Sequence, residues 1–123
     1  MAVSNDFRDF VLEQIAPSGK VVARCMFGGI GLYLDGLFFA LISEDTLYYK
    51  TDESNRARYE QAGSHPFCPF PERPRHVMAY WQVPAEVLED SDVLQDWTRE
   101  ALAAALAARS KRSARRRRSP GRR

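Results

Sequence analysis

Residues 28–50 read GGIGLYLDGLFFALISEDTLYYK, and two polar breaks divide this stretch into three apolar runs. The first break, Asp35-Gly36, is typical of a two-residue β-hairpin, because a type I′ turn needs positive φ at both central residues. The second break is Ser-Glu-Asp at 43–45. A helix is excluded here, because the glycines and the Asp-Gly turn would interrupt it every few residues. With the apolar segment VVARCMF before it, the stretch predicts an antiparallel meander of four strands, at about 21–27, 30–34, 37–42 and 46–50.

Helical patterns lie on both sides of this meander. An apolar face precedes Pro17 and predicts a first helix, and the polar residues 52–62 predict a short surface helix. Four prolines within 66–74 exclude a central strand there, whereas residues 76–83 predict a further strand. The sequence predicts a long last helix with Asp92, or alternatively Ser91, as its N-cap and with its end near Ala108. The sequence therefore predicts the order α-β-β-β-β-α-β-α: an α+β fold with an antiparallel sheet of about five to six strands and helices packed on one face.

Charge is divided unevenly along the 123 residues. The chain has 18 Lys and Arg against 16 Asp and Glu, a net charge of +2. Nine of the cations and none of the acids lie in residues 109–123, so residues 1–108 carry −7 and the remainder +9. We predict one domain over 1–108 and a disordered Arg-rich tail over 109–123, because the tail has no apolar period. Its cations are Arg109, Lys111, Arg112, Arg115, Arg116, Arg117, Arg118, Arg122 and Arg123.

Such a basic segment would attract nucleic-acid phosphates through counterion release, without base specificity. A solvated extension and a tail folded back on the acidic domain are the alternatives. No run of about 18 apolar residues predicts a membrane span. The N-terminus has neither the basic nor the apolar region of a secretory signal. We therefore expect a cytoplasmic protein with no membrane partner and with reduced cysteines.

Arg24, Phe27, Gly28 and Gly29 form the most suggestive cluster for ligand binding. Consecutive glycines allow backbone N–H groups to converge on an anion, and a nearby arginine can add further donors. The alternative is structural: the glycines form a bulge or bend in the sheet, and Arg24 pairs with a carboxylate of the domain.

The cysteines and histidines form no metal or catalytic motif. His65 and Cys68 have a metal-like spacing, but a tetrahedral zinc site would need Cys25 or His76 beside them. A Cys68 nucleophile assisted by His76 lacks a third, orienting residue. The sequence therefore predicts no metal, no cofactor, no catalytic residue and no enzymatic activity.

Aromatic residues lie on most of the predicted strands. Neighbours such as Phe38 and Phe39 point to opposite faces, so one of each pair is expected in the core and the other can be exposed. An exposed aromatic row can stack nucleobases or form a dimer interface. The acidic domain favours the second, so a homodimer or another protein partner is expected. The residues concerned are Tyr33, Phe38, Phe39, Tyr48, Tyr49, Tyr80 and Trp81.

Over about residues 4–108 the ordered set of motifs resembles the N-terminal domain of the TfoX/Sxy family. The resemblance implies a small α+β domain similar to the secretion-chaperone-like fold. It also implies an association with competence-gene regulation and DNA uptake, in some members together with the cyclic-AMP receptor protein. Longer members carry a C-terminal domain related to helix–hairpin–helix modules, and here only the arginine tail follows the last predicted helix. The motifs are RCMFGG at 24–29, GLY at 31–33, DG at 35–36, FALI at 39–42, LYYK at 47–50, Gly63, Pro66-Phe67, YWQVP at 80–84 and Trp97.

We therefore expect a non-enzymatic regulatory or interaction module that binds a protein partner or itself and contacts nucleic acid through residues 109–123. The alternative is a small-ligand or anion-binding domain centred on Arg24 and Gly28-Gly29.

Overall fold

The computed structural model describes residues 4–26, 29–67 and 79–118, with side chains described as far as Lys111. These described residues form four α-helices, one short 3-10 turn and five strands. In chain order these are α1 (Asn5–Ile15), the 3-10 turn (Ala16–Ser18), β1 (Val21–Met26), β2 (Gly29–Leu34), β3 (Leu37–Ser43), β4 (Thr46–Lys50), α2 (Arg56–Gln61), β5 (Tyr80–Gln82), α3 (Ala85–Leu88) and α4 (Ser91–Arg118). Among these described helices, none is long and apolar enough to cross a membrane.

The five strands form one antiparallel sheet in the order β1-β2-β3-β4-β5, which confirms the predicted α+β class. Asp35 and Gly36 have φ of 52° and 79°, as the predicted Asp-Gly hairpin requires. The second tight turn places Glu44 and Asp45 at φ of 52° and 56°. Both turns are two residues long, and consecutive strands therefore become neighbours in the sheet.

Helices cover one face of this sheet. The buried side chains of that face, such as Leu32, Ile42 and Tyr49, join one core with Val11 of α1 and Leu94 of α4. Helix α4 contacts β3 and β4 directly, and α1 and α3 pack against α4. The short α3 was not predicted; it begins after Pro84, whose carbonyl accepts hydrogen bonds from the N–H groups of the third and fourth residues that follow it.

Helix α4 begins and ends differently from the sequence prediction. Asp90 is its N-cap, because the carboxylate accepts a hydrogen bond from the Val93 N–H at 3.2 Å, whereas the Ser91 hydroxyl donates to the Gln14 carbonyl of α1. The helical backbone continues to Arg118, ten residues beyond the predicted end at Ala108. Alanine, lysine and arginine all have high helix propensity, so the missing apolar period does not end the helix. The domain boundary at 108 stays a prediction.

Candidate functional site

The sheet face opposite the helices is the first candidate surface, and we term it the open face. Its residues follow from the register, in which Tyr33 lies opposite Phe38, Leu41 opposite Tyr48 and Lys50 opposite Tyr80. Side chains opposite one another in an antiparallel pair share a face. The open face therefore consists of Val22, Arg24, Met26, Gly29, Gly31, Tyr33, Phe38, Leu41, Ser43, Thr46, Tyr48, Lys50, Tyr80 and Gln82.

Aromatic rings pack against one another across this open face. The ring centroids of Tyr33 and Phe38 are 5.1 Å apart in a stacked arrangement, and those of Phe38 and Tyr80 are 5.4 Å apart. The ring centroids of Tyr48 and Phe67 are 4.9 Å apart. Partial burial and the nearby negative charge of Glu44 raise the pKa of the Tyr48 hydroxyl. Since the stacked rings of Tyr33 and Phe38 cover each other, one face of each ring is already occupied.

The predicted alternation of aromatic residues is confirmed. Phe39 and Tyr49 are fully buried on the helix-covered face, whereas Phe38 and Tyr48 are half-buried on the open face. A period of two residues separates Tyr48 from Tyr49 on β4. On β3 the register shift at Leu32 and Tyr33 leaves Phe39 without a partner on β2, so that Phe39 is buried next to Ala40 and Phe38 lies opposite Tyr33.

Two cations flank the aromatic row. The Arg24 guanidinium lies 5.8 Å from the Tyr33 ring centroid, and the Lys50 ammonium lies 5.2 Å from the Tyr80 centroid. Arg24 and Lys50 are the only charged residues within the five described strands, and both belong to the open face. The open face is therefore cationic, although residues 1–108 carry a net negative charge. The net negative charge of residues 1–108 is therefore a weaker argument against nucleic-acid contact at the open face.

A cavity of about 140 Å³ connects the open face to the last helix. Sequence reasoning did not single out Lys50, although its alternation with Tyr48 on β4 was the signal that would have placed it on this face. The cavity thus brings two cations beside aromatic side chains. It is lined by Gly36, Leu37, Phe38, Lys50, Tyr80, Ala105, Ala108 and Arg109.

The predicted anion cluster is only partly within the described chain, because Phe27 and Gly28 lie outside it. Gly29 belongs to β2, where a Cβ would lie 2.5 Å from the Ile42 carbonyl oxygen. Close approach of two strands therefore explains this glycine. Arg24 pairs in register with Gly31 and lies over Tyr33. The anion site stays a prediction.

The candidate metal and nucleophile residues are also only partly described, because Cys68 and His76 lie outside the described chain. Cys25 is an exposed free thiol on β1, and the carbonyl of His65 accepts a hydrogen bond from the Gln82 N–H. Within residues 4–26, 29–67 and 79–118, no group of three or more His, Cys, Asp or Glu could hold a metal ion.

The basic end of α4 is the second candidate surface. Arg109 and Lys111 are exposed, and the helical backbone continues through Arg112 and Arg115–Arg118. Hydrogen bonds from Ser54, chiefly from its hydroxyl, lower the pKa of Asp52, and the positive charge of Lys111 lowers it further. Lys111 of α4 therefore lies near this carboxylate. Arg122 and Arg123 lie outside the described residues.

The antiparallel meander, with helices on one face and a cationic aromatic surface on the other, defines a small α+β domain. The chain belongs to the TfoX N-terminal domain family, whose family model matches residues 13–105. The match spans the sheet and the core-forming part of α4, and it leaves the basic residues 109–123 outside. No curated protein matches the sequence.

Proposed function

We propose that this protein is a cytoplasmic, non-enzymatic regulatory module. In this proposal the domain binds a protein partner or a second copy, and residues 109–123 contact nucleic acid through its phosphates. Membership of the TfoX N-terminal domain family supports the regulatory role, since TfoX/Sxy proteins are associated with competence-gene regulation.

One observation carries the nucleic-acid part of the proposal. Nine cations and no acid lie in residues 109–123, and a helix that begins inside the domain continues among them to Arg118. At a rise of about 1.5 Å per residue, the helical residues after Ala108 extend the helix by about 15 Å. A basic helical extension can follow a phosphate backbone without reading bases.

The cationic open face supports the same function. Lys50 and Arg109 line one cavity together with Phe38 and Tyr80. The basic part of α4 therefore begins beside the positively charged open face. Phosphates held by α4 would meet no carboxylate from the described strands there.

The salt dependence of binding tests this proposal. If all nine cations contact phosphates, log K for duplex DNA falls with log salt at a slope approaching about −8, because each contact contributes about −0.9. Replacing Arg115, Arg116, Arg117 and Arg118 by Gln should reduce the slope by about 3.6 in magnitude. Affinity is measured by fluorescence anisotropy on DNA and RNA across a salt series.

A matched control removes the same charge from the domain, through Arg8→Gln, Lys20→Gln, Arg56→Gln and Arg99→Gln. The salt slope should stay unchanged in this variant. Equal affinity of the full chain and of residues 1–108 would overturn the nucleic-acid proposal.

A further inference from the structure

Strand β1 is apolar in sequence but exposed in the fold. Its six residues read VVARCM, and five of them are apolar or small. Yet Val22, Ala23, Arg24 and Cys25 are all exposed, Val22 at 45%. No other strand of the sheet has an exposed residue. Exposed apolar surface on a regular strand indicates a surface that becomes covered.

The two edges of the sheet differ in how they are protected. At the β5 edge, the Phe67 N–H donates to the Tyr80 carbonyl at 2.7 Å, and the Gln82 N–H donates to the His65 carbonyl at 3.1 Å. Pro66, which has no N–H, lies between these two bonds. At the β1 edge, the described part of the chain provides no such partner. Natural proteins protect exposed edges with proline, lysine or a bulge, and β1 has only Arg24.

The outer edge of β1 is regular along its whole length. All six residues pair with β2 in an unbroken register, from Val21 with Leu34 to Met26 with Gly29. The register shift of this sheet lies on the other side of β2, in its pairing with β3. The outward N–H and C=O groups of β1 therefore form an uninterrupted template for another strand.

We propose that β1 pairs antiparallel with β1 of a second copy of this chain, across a two-fold axis at Ala23, and joins two five-stranded sheets into one of ten strands. This inference identifies the surface for the self-association that the proposed function includes, and its regulatory meaning rests on that function. In this register Val21 lies opposite Cys25 of the second copy, and Val22 lies opposite Arg24.

Strand length and charge together select this register, because only an axis at Ala23 or at Arg24 pairs five of the six residues of β1. A strand that pairs with itself without opposing like charges favours a second copy as the partner. A two-fold axis perpendicular to the sheet keeps each face of the joined sheet continuous. One residue of β1 then lies directly opposite its own copy at the axis. An axis at Arg24 would place two guanidinium groups opposite each other. An axis at Val22 would place Arg24 opposite Lys20. The axis at Ala23 opposes no like charges and puts a small, exposed side chain at the point of closest approach.

The oligomeric state of the full chain tests the proposal. Sedimentation equilibrium should give a dimer, and Ala23→Lys should raise its Kd at least about tenfold, because two ammonium groups would face each other at the axis. Leu106→Lys is the matched control, since Leu106 is 46% exposed on α4, the helix that packs on β3 and β4. A monomeric wild-type chain, or a dimer that Ala23→Lys leaves intact, overturns the proposal.

Disulfide trapping tests the register itself. In the chain carrying Cys25→Ala and Cys68→Ala, Ala23→Cys places one thiol directly opposite its counterpart, so diamide should oxidise the two thiols to a disulfide-linked dimer. The control carries Cys68→Ala alone, because Cys25 then lies about 14 Å along the strand from its counterpart. Crosslinking only through Cys25, or through neither cysteine, contradicts the axis at Ala23.

These experiments test nucleic-acid binding and dimerisation independently of each other. The variant with Gln at positions 115–118 should lose salt-dependent binding and remain dimeric. The Ala23→Lys variant should dimerise more weakly, and each of its chains should keep the wild-type slope of log K against log salt for nucleic acid. A dimer that binds no nucleic acid would therefore leave the β1 interface standing and reject the proposed role of the tail.

Discussion

Gly29 and Gly31 lie two residues apart on β2, and different neighbours require each of them. A Cβ on Gly29 would meet the Ile42 backbone oxygen at 2.5 Å. A Cβ on Gly31 would meet the Met26 Cε at 2.6 Å and the Phe38 ring at 3.1 Å. The Ile42 carbonyl belongs to the β-sheet and cannot move without displacing β3, whereas the Met26 side chain can change rotamer.

We therefore expect Gly29→Ala to destabilise the fold more than Gly31→Ala. The first substitution should lower the free energy of unfolding by about 1–3 kcal/mol, as overpacking against fixed atoms does. The second should cost less, because Met26 moves aside. Urea denaturation of both variants measures the difference, and equal costs would show that the strand approach at Gly29 is not the limiting contact.

At the scale of elements, a buried hydrogen-bond chain joins β4 to α4. The Thr98 hydroxyl donates to the Leu94 carbonyl at 2.7 Å, so its single hydrogen is used. The Tyr49 hydroxyl, 2.7 Å from the Thr98 oxygen, is therefore the donor of the second bond. Burial raises the pKa of Tyr49 and keeps this donor protonated. These two hydrogen bonds hold α4 in position over the sheet.

Thr98→Val leaves the buried Tyr49 hydroxyl without its acceptor and should cost about 1–3 kcal/mol of unfolding free energy. Tyr49→Phe removes the donor and should cost about 1 kcal/mol. The double variant should cost less than the sum of the two, because both remove the same bond. Thr46→Val at the start of β4, where the hydroxyl makes only an exposed hydrogen bond, is the control, with an expected change within about 0.5 kcal/mol. Strict additivity would contradict the coupling.

At the scale of the whole molecule, the core ends well before the last helix does. Ala101, Ala104 and Ala105 are buried against the sheet, whereas Arg109 and Lys111 are exposed. The family match ends at the same place, at residue 105. Packing therefore belongs to the first part of one continuous helix, and the phosphate contact that we propose belongs to the part that follows.

Truncation after Ala108 should leave the thermal midpoint of unfolding nearly unchanged, because no residue beyond Ala105 is fully buried in the part of the chain described. Truncation after Glu100 should abolish cooperative unfolding, since it exposes the sheet surface that Ala101, Ala104 and Ala105 cover. Circular dichroism melts of both truncations measure this. A large loss of stability on removing residues 109–123 would place the domain boundary inside the basic segment.

Prediction from the sequence succeeded where the chemistry is local. The hairpin at Asp35-Gly36 follows from the φ angles that the two residues accept, and the alternation of Tyr48 with Tyr49 follows from strand geometry. The end of α4 was missed because the expected boundary relied on the missing apolar period, whereas helix propensity continues through the lysine and arginine residues. Arg24 and Gly29 were grouped by nearness in sequence, although the register places Arg24 opposite Gly31.

Turn chemistry and residue periodicity were thus enough to specify the α+β class and the meander, and the ordered sequence motifs carried the family resemblance. They could not show that Arg24 and Lys50 share one face, because two residues on different strands acquire a common face only through strand register. Nor could they show that the apolar β1 is exposed. Burial depends on where α1, α3 and α4 pack, and these helices cover the middle of the sheet and leave its first strand in solvent.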